Sequence, residues 1–212
     1  METAKYVIFD GMDGSGKGTQ LAMLQKRFPG IVFTREPGGT PFAEEIRRIV
    51  RDNPLSATST PLNNFLLFWA AREELMHNLV VPALTLGNHV FSDRGDSSTY
   101  AFQLHGEEHL DLQGLFAQLR SVVFAGRHAP DLYVVFDLPA DMARERVMKD
   151  AERDKNHFDA RDLAYYVRVR AGFRLFADYL GESGRVILVN AAQSADKIHE
   201  DVCRVLAEHS IS

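Results

Sequence analysis

The chain has 212 residues, 45% hydrophobic and 25% charged, with a formal net charge of −5. That length and balance suit one globular domain with a proper core, and the acidic sign excludes a general binder of nucleic-acid polymers. Cys203 is the only cysteine and no apolar run reaches transmembrane length; an internal disulfide is therefore excluded, no membrane-crossing helix is expected, and a reducing cytoplasm is the expected compartment.

In chain order, Tyr6-Val7-Ile8-Phe9 is a β-branched and aromatic run that predicts a strand buried on both faces. Gly11, Met12, Asp13, Gly14, Ser15, Gly16, Lys17, Gly18 and Thr19 follow, and a helical pattern begins at Thr19, Gln20, Leu21 and Leu24. Strand, glycine-rich turn, lysine and helix form the phosphate-cradling pattern G-x-x-x-x-G-K-[ST], in which backbone N–H groups and the positive helix end converge on an anion. Gly18 takes the place of the usual hydroxyl residue, which leaves Thr19, Asp93 or water to face a magnesium ion. Asp13, inside the loop, would repel a triphosphate and is expected to face a second substrate.

Ile31-Val32-Phe33-Thr34 predicts the second strand, with Arg35 at its carboxyl end, where open α/β sheets place ligands; Arg35 could clamp a phosphate there. Thr40 and Pro41 read as the cap and first residue of the next helix. Residues 62–80 form a densely apolar helix of core or interface type, on which Phe68 and Arg72 share one face. His89-Val90-Phe91-Ser92 predicts a third strand ending at Asp93-Arg94, an acid placed for a metal and a base placed for phosphoryl oxygens. Ser97 reads as a helix cap. Leu132 to Asp137 and Arg185 to Ala191 supply two more strands, an aromatic stripe from Tyr165 to Tyr179 reads as core except that Tyr165 or Tyr166 could border a substrate pocket, and an amphipathic helix closes the chain over 195–209. Alternating strands and helices predict a three-layer α/β domain over 1–212 with a central, mostly parallel five-stranded sheet.

The segments GMDGSGKGTQ, TREPGGTPFAEEIR, LLFWAAREE and SDRGDSSTYAFQ together resemble bacterial thymidylate kinases, of the P-loop nucleoside monophosphate kinases. The resemblance implies transfer of the γ-phosphoryl group of ATP to dTMP, giving dTDP and ADP for dTTP synthesis, with Mg²⁺ and a homodimer formed through the helices at 62–80 and 97–124. It implies that Phe68 stacks on the thymine, that Arg72 bonds a base carbonyl, and that Ser98, Thr99 and Gln103 surround base and sugar. It places Arg94 on the acceptor phosphate, Asp93 in the metal shell and Asp13 on the acceptor sugar. A small lid, about 146–162, would supply a catalytic arginine, with Arg153 first and Arg146, Lys149 and Arg161 behind it. The chain departs from these relatives at Leu104 to His109, where they carry glycines and an arginine, so the alternative expectation is a broader deoxynucleoside monophosphate kinase.

Overall fold

The computed structural model describes residues 3–126, 128–149, 161–181 and 185–211. The first strand, β1 (Tyr6–Gly11), is buried along its whole length, as a run apolar on both faces requires. It pairs in parallel with β3 (Val90–Asp93) on one side and β4 (Leu132–Asp137) on the other. The outer strands β2 (Val32–Arg35) and β5 (Val186–Asn190) complete an all-parallel sheet in the order β2-β3-β1-β4-β5. The chain therefore leaves β1 in opposite directions on its two sides, and a crevice opens at the carboxyl ends of β1 and β3.

Helices α1 (Lys17–Arg27) and α2 (Pro41–Arg51) follow the first two strands. Thr40 caps α2 as expected, its Oγ1 accepting from the Ala43 N–H, with Pro41 in the first turn. The apolar helix predicted for 62–80 starts at Pro61 and runs further, as α3 (Pro61–Leu75), a π-helical turn (Met76–Val80) and α4 (Val81–Thr85). After the short α5 (Asp96–Ser98), a π-helical stretch (Thr99–Gly106) ends at Gly106, and α6 (Gln113–Phe124) starts anew. Glu108, at φ 63°, breaks the helical path between them. His105 and His109, at helical spacing in the sequence, thus belong to different local structures.

The remaining helices are α7 (Ala140–Lys149), α8 (Leu163–Leu180) and α9 (Ala195–Glu208). The aromatic stripe of α8 is core at Phe173 and Phe176, the latter 5.1 Å from the Tyr133 ring and 5.4 Å from Tyr100. Tyr165 and Tyr166, at its amino-terminal end, are also buried but line the crevice.

Candidate active site

The chain leaves β1 through a loop whose turn is closed by the Ser15 N–H donating to the Met12 carbonyl at 3.1 Å. Gly14 has φ +81°, and a Cβ there would lie 2.5 Å from the Ala143 carbonyl oxygen. Only glycine fits this left-handed position under α7. Lys17 then opens α1, its side chain almost wholly buried and its ammonium ion-paired with Asp93 at the end of β3. Burial raises the pKa of Asp93, but the adjacent Lys17 and Arg94 outweigh it and hold the carboxyl below its ordinary range.

Asp13 turns out of the loop toward Arg94, whose Nη2 donates to its Oδ1 at 2.6 Å. Arg94 itself has φ 75°, an uncommon backbone state for a long side chain, held by its surroundings. Its Nη1 reaches Ser98 Oγ at 3.1 Å and the fully buried Asp10 at 3.4 Å, and its guanidinium lies over the Phe102 ring at 5.0 Å. Asp10 also accepts from Gly11 N–H, Ser97 Oγ and Ser98 Oγ at 2.7–2.8 Å. Ser97 is therefore not a cap; it satisfies a buried carboxylate, because the turn of α5 points it back into the sheet.

A crevice of about 380 Å³ extends from this charged cluster to the buried Arg72. Met12, Asp13, Lys17, Asp93, Arg94 and Ser98 line it at one end, and Phe68, Arg72, Thr99, Phe102, Gln103 and Tyr166 at the other. Arg72 is 2% exposed. Its Nε donates to Glu36 Oε2 at 2.7 Å and its Nη2 to Thr99 Oγ1 at 3.1 Å, over the Trp69 ring. Its Nη1 has no partner, nor has Oε1 of Gln103, 7% exposed. An unpaired buried donor and an unpaired buried acceptor each carry a desolvation cost of about 1–3 kcal/mol until something fills the site. Burial pushes Glu36 up to about 7, with the Arg72 guanidinium pulling the other way.

Two expected residues stand elsewhere. Arg35 forks onto Glu44, with its Nη2 3.0 Å from both carboxylate oxygens, and its half-exposed side chain does not line the crevice. Along a strand, neighbours point to opposite faces, and it is the following Glu36 that turns inward. Thr19 is exposed on α1 and Gly18 beside it is exposed as well.

Arg47 of α2 lines the crevice in place of Arg35, its Nη1 donating to the Pro37 carbonyl at 2.9 Å. The only signal for it in the sequence is its position one helical turn after Glu44. Glu107, from the atypical segment, and Tyr165 complete the wall. Of the arginines considered for the lid, Arg153 lies outside the described residues. Arg146 donates to the carbonyls of Gly14 and Ala191 at 3.2 and 3.4 Å, so it bridges the phosphate loop to the segment after β5. Arg161 is paired with Glu107 at 3.0 Å, and Lys149 with Glu145 on the surface of α7.

Among the described residues no group of three or more His, Cys, Asp or Glu side chains could enclose a metal ion. The crevice offers Asp93 alone at the strand end, which fits Mg²⁺, an ion usually carried by substrate phosphates, water and one or two carboxylates.

The family model described as thymidylate kinase matches residues 9–202. The chain is 34% identical over 211 residues to the thymidylate kinase of Teredinibacter turnerae, covering 96% of this chain and 98% of that one. It is 32% identical over 206 residues to that of Kosmotoga olearia, covering 94% and 93%. The structure of thymidylate kinase from Ehrlichia chaffeensis superposes with a TM-score of 0.74 at 27% identity, over 97% of this chain and 99% of that one. The match spans the glycine-rich loop and the residues that line the crevice, and on it the chain belongs to the thymidylate kinase family of nucleoside monophosphate kinases.

Proposed function

We propose that one kinase domain spanning the chain transfers the γ-phosphoryl group of ATP to dTMP, giving dTDP and ADP. The observation that carries this reading is the single crevice joining Lys17 and Arg94 to a buried, unpaired donor and acceptor at Arg72 and Gln103. Thymine presents a carbonyl oxygen beside a ring N–H, and these two atoms meet that demand. Cytosine presents the reverse pair; the Gln103 amide can turn over to donate to its ring nitrogen, but the donor-only Arg72 would face an amino group and stay unsatisfied. Phe68 offers a flat face to the base at small entropic cost.

The acceptor phosphate is already an anion and needs no covalent intermediate, so catalysis is positioning and charge neutralisation. The loop from Gly11 to Thr19 cradles the donor phosphates through its backbone, and Lys17 leaves Asp93 to meet the transferring group. Arg94 leaves Asp13 to hold the acceptor phosphate, which frees Asp13 for the acceptor sugar hydroxyl. Arg47 stands where Arg35 was expected, as a second cation for the acceptor phosphate. Asp93 would hold Mg²⁺ through water, with no share for the exposed Thr19, and the ion when bound screens the charge of the triphosphate. Arg153 remains the proposed lid arginine. Leu62 and Leu66 on α3 and Val122 on α6 are 44–69% exposed on adjacent helices, which supports a homodimer through that face, measurable by light scattering. No helix among the described residues is long and apolar enough to cross a membrane, in keeping with a cytoplasmic enzyme.

The test is ADP release with ATP, Mg²⁺ and each of dTMP, dUMP, dCMP, dGMP and dAMP. Turnover of dTMP at least tenfold above dCMP, dGMP and dAMP is expected; equal rates would replace this reading with a broad deoxynucleoside monophosphate kinase. Arg94→Lys keeps the charge but loses the fork that spans Asp13, Ser98 and the acceptor. It should lower kcat/KM for dTMP about a hundredfold, while KM for ATP stays within threefold of wild type.

A further inference from the structure

The wall of the crevice between its two ends is built by two segments far apart in sequence, the end of the π-helical stretch and the start of α8. They meet without side-chain padding. A Cβ on Gly106 would lie 2.6 Å from Val169 Cγ2 and 2.9 Å from Tyr165 Cε2, so the backbone itself rests on the Tyr165 ring. Arg168 of α8 clamps the Gly106 carbonyl with Nε and Nη2 at 3.1 and 3.0 Å. The Glu107 N–H donates back to the Phe102 carbonyl at 2.9 Å. The backbone of Glu107 is thereby fixed, and its side chain, 17% exposed, faces the crevice.

The Glu107 carboxylate accepts from Arg161 Nη2 at 3.0 Å, and the same guanidinium lies 5.0 Å over the Tyr165 ring. Tyr165 is thus held between Gly106 behind it and Arg161 across its face, while its hydroxyl feels the charges of Glu107, Arg161, Asp13 and Arg94. Those last two are the pair proposed for acceptor sugar and phosphate. We infer that Glu107 is a positioning residue for the acceptor: through Arg161 it fixes Tyr165 as the wall against which the nucleoside monophosphate is held. An ion pair that is partly buried and stacked on an aromatic ring holds one geometry better than an exposed pair does. The effect belongs to binding in ground and transition state alike, so it falls on KM for the acceptor and spares the donor.

The inference rests on the proposed kinase reading, and charge exchange separates the two. Steady-state kinetics would be measured on wild type, Glu107→Gln, Arg161→Glu and the double variant Glu107→Arg/Arg161→Glu, with melting temperatures for each. Absence of wild-type turnover with any deoxynucleoside monophosphate would remove the kinase reading itself. With turnover established, each single variant should raise KM for dTMP about tenfold while kcat falls less than threefold and KM for ATP stays within twofold. The double variant, which restores the pair with its signs reversed, should return KM for dTMP to within threefold of wild type. Single variants with unchanged KM, a loss confined to kcat, or a double variant no better than the singles would overturn the inference. Should Arg161→Glu fold poorly, Glu107→Gln decides, because it keeps shape and removes only the charge: a lowered melting temperature with unchanged KM would make the pair purely structural.

Discussion

Lys17→Ala is expected to lower kcat about a thousandfold or more, some 4 kcal/mol of transition-state stabilisation, in a protein that still folds. The size follows from where the ammonium sits. Its side chain is only 10% exposed, at the first turn of α1, beside the one carboxylate at the end of β3, so no water or mobile side chain can supply the missing charge at that point. Stability should change little, because Asp93, the partner left behind, is about one-third exposed and can be rehydrated. Rapid-quench measurement of the first turnover, alongside a melting curve, checks both halves. A variant that transfers phosphate at the wild-type rate would remove the loop from the chemistry. One that unfolds would make Lys17 a structural residue.

The second large effect concerns Arg72 and Glu36. Arg72→Met should destabilise the protein by about 1–2 kcal/mol at pH 8 through Glu36, since a carboxyl that is 5% exposed and titrates near 7 even beside Arg72 takes up a proton once its counter-charge is gone. It should also remove the donor aimed at the base and raise KM for dTMP. The stability loss is pH-dependent. Glu36 has a folded-state pKa of about 7 against an ordinary 4.5, because burial outweighs Arg72. The folded state therefore holds the proton more tightly than the unfolded chain does. Its contribution makes the wild type less stable as pH rises from about 4.5 to about 7, by about 3 kcal/mol in all. Glu36→Gln should lack this slope, so denaturant titrations of the two proteins converge at low pH and separate above it. Arg72→Met pushes the carboxyl higher still, and its deficit should shrink as pH falls toward 5. A deficit constant from pH 5 to 8 would mean that Glu36 is solvated and not buried.

Much of the site lies in stretches whose meaning is local. The strand at Tyr6, the glycine loop, Lys17 at the helix start and the Thr40 cap with Pro41 each depend on neighbours a few residues away. Phe68 and Arg72, one helical turn apart, reach the crevice together for the same reason, and Asp93-Arg94 end a strand whose apolar run announces it. The five strands were legible to within a residue or two at each end, the central three because a strand buried on both faces is an apolar run and the less buried outer two because short β-branched runs mark them.

What the sequence by itself determined, then, was the layered α/β fold and the strand–glycine-loop–helix unit, carried by periodicity and short-range chemistry, and the kinase family, carried by the resemblance of its motif segments. The tertiary structure alone decided which of two adjacent residues, Arg35 or Glu36, turns inward. The alternation along a strand is plain in sequence, but its phase is set by what covers each face, here α3 and its Arg72. It alone brought Arg47 from α2, and Glu107 from more than fifty residues before Tyr165, to one wall with that tyrosine. It alone gave the buried Asp10 its donors from Ser97 and Ser98, more than eighty residues away. Contacts of that length leave no period in the chain, because they arise from the order in which parallel strands stack and not from the order in which residues follow one another.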